Sequence, residues 1–279
     1  MPELPEVETV CRGLAPVMEG VRFHKVTLNR PDLRFAFPSN FKARLEGKTL
    51  LSLKRRAKFL HAELSSGERL FMHLGMSGRF IIAHKHTPHN MAHPHKVLPQ
   101  HNHVIFEMET GTKIIFNDPR RFGFMELIKS SEPSRLDDLG PEPLSNQFNA
   151  ERLYQALKGK KSKIKTALLD QHIIAGLGNI YVCEALFRSG ISPGRAAGRL
   201  SRKVCETLSL HIKDVLRDAI AAGGSSLRDY AGADGELGYF QHQFDVYGRE
   251  AEPCKTCQTP IKRKVQSGRS SFYCPSCQS

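Results

Sequence analysis

The chain has no run of eighteen apolar residues, and its start lacks a basic stretch followed by an apolar one. The first absence excludes a bilayer-spanning helix and the second leaves no secretory leader, so a cytoplasmic protein is predicted. Acid is also scarce. Forty-one Lys and Arg stand against 28 Asp and Glu, leaving +13 over 279 residues. An excess of that size points to a polyanionic partner, either nucleic acid or an anionic membrane surface. No internal repeat is visible, and the length suits two domains with a small third. Cysteine is thin until the end. Cys11, Cys183 and Cys205 fall singly within apolar patterns and read as buried thiols in a reducing compartment.

Apolar spacing divides the chain into two kinds of structure. Val7, Val10, Cys11 and Leu14 repeat at helical spacing, predicting a helix over 3–15 that Pro16 ends. From Val21 to Ile128 the runs become short and alternating, as in Thr49-Leu51-Leu53, Leu70-Met72-Leu74 and Val104-Phe106-Met108, which predicts a β-sandwich or barrel. Residues 84–103 hold seven histidines and three prolines with little periodicity and read as a solvated connecting loop rather than a metal site. Ser130 to Gln147 reads as a linker. Helices are then expected over 150–157, over 180–189 with Asn179 as cap, and from Ser201 to Gly223-Gly224. Residues 224–249 read as a mobile loop, too rich in Gly and polar side chains for a core element. The class is α+β, multidomain.

Chemistry is concentrated in a few places. Trimming of Met1 exposes Pro2, whose secondary amine is a candidate nucleophile. An α-amino group has a pKa of about 7.7–8.0 against about 10.4 for lysine, so far more of it is unprotonated at neutral pH. Its attack on a sugar carbon yields an electron-withdrawing iminium, with Glu3 adjacent as proton donor or acceptor. The competing reading is that Pro-Glu-Leu-Pro only starts a helix. Cys254-x-x-Cys257 and Cys274-x-x-Cys277, sixteen residues apart, fit two knuckles on one tetrahedral zinc that is structural, since four thiolates leave no open position. Between them Lys262, Arg263, Lys264 and Arg269 suit a DNA-contacting β-hairpin. Gly176-Leu177-Gly178-Asn179 opens a helix, where backbone N–H groups and the cap can meet a phosphate or merely form a turn. The run Lys158, Lys160, Lys161, Lys163, Lys165 reads as a solvated face or a backbone track. Lys58 lies in strand-like sequence where it can face a cleft. The stretches Leu74 to Gly78 and Asp118 to Gly123 read as turns presenting Met76, Arg120, Arg121 and Phe122, apolar wedges flanked by arginine that can enter a base stack.

Taken together these motifs resemble the bacterial formamidopyrimidine-DNA glycosylases. The resemblance is carried by residues 1–9, Arg55-Arg56-Ala57-Lys58, His73 to Gly78, Asp118 to Gly123, Gly140 to Leu144, Gly176 to Tyr181, Gln243 to Arg249 and the four-cysteine end. It implies an N-terminal catalytic β-sandwich with its helix (1–130), a helix-two-turns-helix DNA-binding domain with a lesion-recognition loop (131–248) and a four-cysteine zinc finger built on a β-hairpin (249–279). It implies a monomeric base-excision-repair enzyme, nucleoid-associated in use and with no membrane partner. Such an enzyme acts on duplex DNA holding oxidised purines or abasic sites, and then nicks the abasic strand. By position, Pro2 is the Schiff-base nucleophile, Glu3 a proton donor, Glu6 an orienting group, Lys58 the proton donor for β-elimination and Arg269 for δ-elimination. Met76, Arg120 and Phe122 fill the vacated stack; His101, Arg120, Arg121, Lys161 and Asn179 hold DNA; Ser225, Arg228 and Tyr230 contact the lesion. One structural zinc ion is implied, held by Cys254, Cys257, Cys274 and Cys277. The rivals are an endonuclease VIII-like glycosylase for oxidised pyrimidines, against which Leu4 and the Met76, Arg120, Phe122 trio argue, and a non-enzymatic zinc-dependent DNA-binding protein. A tautomerase with an N-terminal proline base explains neither the length, the charge nor the cysteines.

Overall fold

A computed structural model describes residues 1–83, 97–225 and 240–279. Contacts divide the chain into two units, one comprising Met1–Ser134 and Ala222–Tyr239, the other Arg135–Ala221 and Phe240–Ser279.

The first unit opens with helix α1 (Leu4–Met18) and contains two separate antiparallel sheets. One has the order β1 (Phe23–Leu28), β6 (Asn102–Met108), β7 (Lys113–Asn117), β5 (Arg79–Ala83). The other runs β2 (Leu50–Arg56), β3 (Phe59–Leu64), β4 (Glu68–His73), β8 (Phe124–Lys129). This resolves the sandwich-or-barrel alternative in favour of the sandwich. Phe23, Phe80, Phe106 and Phe116 from the first sheet and Leu60, Leu70, Met72 and Leu127 from the second belong to one buried cluster, into which α1 puts Val7, Val10, Leu14 and Met18. A short helix, α2 (Phe41–Leu45), adds Phe41 and Leu45 to it.

Several local expectations need correction. Pro16 does not end α1, which runs on to Met18; a proline so near the end costs only one internal hydrogen bond, and Glu19 N–H still reaches the Ala15 carbonyl at 2.9 Å. The Thr49-Leu51-Leu53 alternation fails because a bulge between Leu50 and Ser52 shifts the register: Leu50 and Leu53 point inward and Leu51 is 56% exposed. The other two alternating runs stand, with every named residue buried. Asn102 and His103 belong to β6 rather than to the histidine-rich loop, whose residues 84–96 lie outside those described.

The second unit contains α3 (Ala150–Leu157), α4 (Ile164–Leu168), α5 (Asn179–Arg188) and α6 (Arg202–Ala221), then the hairpin β9 (Lys262–Gln266) and β10 (Arg269–Tyr273). Ile180 to Leu186 of α5 are buried without interruption, marking it as the central helix. Its N-cap is Gly178, so Asn179 is the first helical residue and not the cap. Helix α6 begins after Ser201, as expected, and the Ser201 hydroxyl accepts the Val204 N–H at 3.3 Å. Phe240, Phe244 and Val246 are buried, which corrects the reading of 224–249 as coreless. Phe240 packs against Tyr181, and Val246 joins Cys183, Ile261 and two zinc-site cysteines in a small core.

Candidate active site and zinc centre

Sheet register gathers the first unit's functional turns. Phe59 at the start of β3 pairs with His73 at the end of β4, and His73 pairs with Phe124 at the start of β8. The connections leaving those three positions therefore emerge at one end of the sheet: Ala57-Lys58, Leu74 to Gly78, and Asp118 to Gly123. His73 sits at their junction, its ring 4.8 Å from Phe59 and 5.2 Å from Phe124, with Nδ1 accepting the Gly75 N–H at 3.0 Å. Burial first, then the charges of Lys58 and Arg34, push His73 down to about 4, so the ring is neutral at physiological pH.

Lys58 occupies a two-residue turn rather than a strand, and is 8% exposed. Ala57 before it has a φ of 54°, a left-handed conformation unusual for a residue with a side chain. Arg55 holds that turn: Nη1 donates to the Ala57 carbonyl at 3.0 Å and Nε to Glu8 Oε2 at 2.8 Å. Glu8 belongs to α1, so one guanidinium ties the helix behind Pro2 to the turn bearing Lys58. The Arg55 and Arg12 guanidiniums beside Glu8 hold its carboxyl below the usual range against the opposing effect of burial.

At the start of α1, Glu3 and Glu6 form a capping box in which each carboxylate accepts the other's backbone N–H, that of Glu3 reaching Glu6 Oε2 at 2.8 Å. Both carboxylates lie where the helix dipole favours negative charge. Pro2, Glu3 and Glu6 are all buried. The second Glu6 oxygen accepts the Ser225 N–H at 2.8 Å and its hydroxyl at 2.9 Å. Gly224, at φ 80°, passes so close that a Cβ there would lie 3.2 Å from Glu6 Oε1. Ser225 is thus engaged with Glu6; Arg228 and Tyr230 lie outside the described residues.

The turns bearing Met76, Arg120 and Phe122 are held by a buried carboxylate. Asp118 is fully buried; Oδ1 accepts the Ser77 hydroxyl at 2.6 Å and Oδ2 the Gly123 N–H at 2.8 Å. Ser77 Oγ in turn accepts the Arg120 N–H at 3.1 Å, joining the two turns. With its base so fixed, the loop leaves Phe122 44% exposed under the Arg120 guanidinium, 4.9 Å from the ring centroid, while Arg121 is exposed and Met76 half-buried. His101 adjoins the same loop, its carbonyl accepting the Asp118 N–H at 3.0 Å. Sequence reasoning missed Asp118, Ser77, Arg55 and Glu8 as individual positions. Only the Asp-Pro turn signal hinted at the first.

In the second unit the four cysteine Sγ atoms all lie within 4.8 Å of one another. Zinc–thiolate bonds of about 2.3 Å imply tetrahedral edges of about 3.8 Å, and the Cys254–Cys277 and Cys257–Cys274 separations are 3.9 and 3.4 Å. The N–H groups of Thr256 and Cys277 point at the Cys254 and Cys274 sulfurs, each at 3.4 Å. This donor set fits one structural zinc. The hairpin it supports is locked to the helices by Lys165, 1% exposed, which donates to the Ser270 carbonyl at 2.8 Å and Ser271 Oγ at 2.7 Å. Asn179 Nδ2 donates to the same carbonyl at 2.9 Å. Arg269 is exposed, as is Lys161.

Three family models match in chain order: the formamidopyrimidine-DNA glycosylase N-terminal domain over residues 1–125, the H2TH domain of the same glycosylases over 139–231, and the zinc finger found in FPG and IleRS over 251–279. Proteins named formamidopyrimidine-DNA glycosylase from Ruegeria sp. and Jannaschia sp. are 55% and 56% identical over the full length of both chains. The chain belongs to the formamidopyrimidine-DNA glycosylase family. Among solved members, the Thermus thermophilus MutM protein superposes with a TM-score of 0.86 at 38% identity, covering 99% of this chain and 98% of that one. The Lactococcus lactis Fpg in complex with abasic-site DNA gives 0.89 at 33% identity, with both chains covered completely. The three models thus follow one another along the chain over residues 1–125, 139–231 and 251–279.

Proposed function

We propose that Pro2, once Met1 is removed, is the nucleophile of this DNA glycosylase and lyase, acting on oxidised purines flipped from duplex DNA in the cytoplasm. Solved complexes of the Lactococcus lactis relative hold abasic-site DNA and, for a point mutant of it, Fapy-dG DNA, which supports the same substrates here. The proline nitrogen attacks C1′, the glycosidic bond breaks, and the departing base takes the bonding electrons and a proton. Opening of the sugar ring converts the adduct to an iminium, which acidifies the C2′ protons. Loss of one expels the 3′ phosphate, and a second elimination releases the 5′ phosphate. One intermediate thus serves base release and strand cleavage.

Glu3 and Lys58, both nearly buried, are the proton-transfer groups near the sugar, and Arg269 serves the second elimination. Glu6 orients the head of α1 through its bond to the Glu3 N–H. Met76, Arg120 and Phe122 fill the gap left by the flipped nucleotide, with His101, Arg121, Lys161 and Asn179 on the phosphates. The zinc ion supplies no chemistry at the sugar; it holds the hairpin of Arg269 in shape.

The observation that carries this reading is the register Phe59, His73, Phe124, which collects the Lys58 turn and both wedge turns at one sheet end. Borohydride reduction of the protein mixed with an 8-oxoguanine duplex should trap a one-to-one covalent adduct at Pro2. No adduct, or full-speed nicking by protein that retains Met1, would exclude the mechanism. Faster nicking of a thymine glycol duplex would move the substrate to oxidised pyrimidines.

A further inference from the structure

The lysine run 158–165 does not behave as one face. Lys165 is buried on the zinc hairpin, whereas Lys160, Lys161 and Lys163 line an open cleft of about 1050 Å3 together with Arg195 and Arg199. The remaining lining is Gly159, Gly194, Ala196 and Gly198, with no acidic residue. Two backbone segments form the walls and are joined directly: Gly198 N–H to Lys160 O at 3.0 Å, Ala197 N–H to Ser162 O at 2.9 Å and Ile164 N–H to Arg195 O at 2.8 Å. The approach is so close that a Cβ on Gly198 would fall 2.9 Å from the Lys160 carbonyl oxygen. The cations are therefore set on a fixed frame rather than on a loose tail.

A sixth charge comes from the finger. Lys264 of β9 reaches the cleft edge, its Nζ 2.9 Å from where a Gly194 Cβ would be and 4.6 Å from the Tyr273 ring centroid. Burial first, and then the nearby Lys163 charge, hold Lys264 below the usual lysine range. Among the described residues, none of these six forms an ion pair. A rigid, acid-free cluster of this kind destabilises the fold by self-repulsion unless an anion occupies it.

We infer that this cleft is a second phosphate-backbone site, in which Lys163, Arg195, Arg199 and Lys264 extend the Lys161 contact along duplex DNA outside the nucleotide undergoing chemistry. The inference rests on the proposed DNA substrate. No group assigned to the reaction at C1′ lines the cleft, and an open trough of cations with glycine walls suits a continuous phosphodiester chain with no base readout. Each phosphate neutralised contributes about −0.9 to the slope of log K against log salt.

The test is the salt dependence of duplex binding by the zinc-loaded full chain. A Lys163→Gln, Arg199→Gln, Lys264→Gln variant should flatten the slope by about 2 to 3. A variant with the same charge change elsewhere, Lys25→Gln, Lys42→Gln, Lys129→Gln, should move it by less than about 1. Arg199→Gln alone, on an exposed side chain, should flatten it by about 0.9 and covers the case in which the triple variant folds poorly. An unchanged slope, or equal changes in both triple variants, overturns the inference. So does tight binding of tripolyphosphate that Arg199→Gln weakens while the duplex slope stays as in the parent, since the cleft would then serve a free polyphosphate. Borohydride trapping with the unaltered protein runs alongside: failure there refutes the nucleophile, whereas an unaltered slope refutes only the cleft.

Discussion

Arg55 carries a prediction about the proposed reaction from outside it. It bridges Glu8 and the Ala57 carbonyl, and so sets where Lys58 lies relative to the helix that carries Pro2. Arg55→Gln should slow strand nicking by on the order of 10²-fold, the effect of a displacement of about 1 Å at a reacting group, and slow base release much less. Arg55→Lys should not rescue it, because one ammonium on a flexible stem cannot reproduce the two fixed contacts. Single-turnover rates of base release and of scission, measured on the same duplex, check this; equal losses in both would dismiss the role. His73 carries a different prediction. Its folded value of about 4 lies below the ordinary 6.5, so the unfolded chain binds a proton that the folded chain refuses between those values. Stability is thus fully present above about pH 6.5 and declines as pH falls toward 4. Thermal melts across that range should show the decline, reduced in His73→Gln.

At the scale of elements, the Asp118–Gly123 loop and the zinc hairpin are both held by groups buried beneath them. Asp118→Ala strands the Ser77 hydroxyl and the Gly123 N–H, at about 1–3 kcal/mol for each buried donor. A lowered Tm and loss of discrimination between lesion and intact duplex are expected; an unchanged Tm would show that the carboxylate is dispensable. The finger is a two-stranded hairpin too small to fold on its own side chains, so its shape depends on the metal. Stripping zinc with a chelator should abolish duplex affinity while the far-ultraviolet signal of the sandwich persists. Tight binding after verified metal loss would exclude the finger from the interface. Helix α1 illustrates a local rule yielding to context: the helix continues past Pro16 because burial of Leu14 and Met18 outweighs one missing hydrogen bond near the end.

For the whole molecule, the charge of +13 gives affinity without information about sequence. Binding to undamaged duplex should weaken steeply between about 50 and 200 mM salt, by on the order of 10³-fold or more if at least about six phosphates are engaged. A shallow dependence, read by fluorescence anisotropy, would mean that few of the cations touch DNA. The excess is not spread evenly among equivalent lysines. Lys165 is spent inside the protein on the hairpin, and Arg195 and Arg199, distant in sequence from the lysine run, replace it at the cleft.

Much of this protein is legible from its order of residues, because the signals involved are local. Apolar spacing marks α1, α3 and α6, alternation marks most strands, and cysteine spacing marks the metal centre before any packing is known. Motif order was enough to suggest the family. Interactions between residues far apart along the chain leave no such trace. The bulge that turns Leu51 outward, the Asp118 carboxylate joining two turns, the grip of Glu6 on Ser225 and the Arg55 strut each exist only once separate segments are brought within hydrogen-bonding distance. The sheet register and the helix packing create those distances, and with them the difference between a lysine that faces an open cleft and one that is buried against a hairpin.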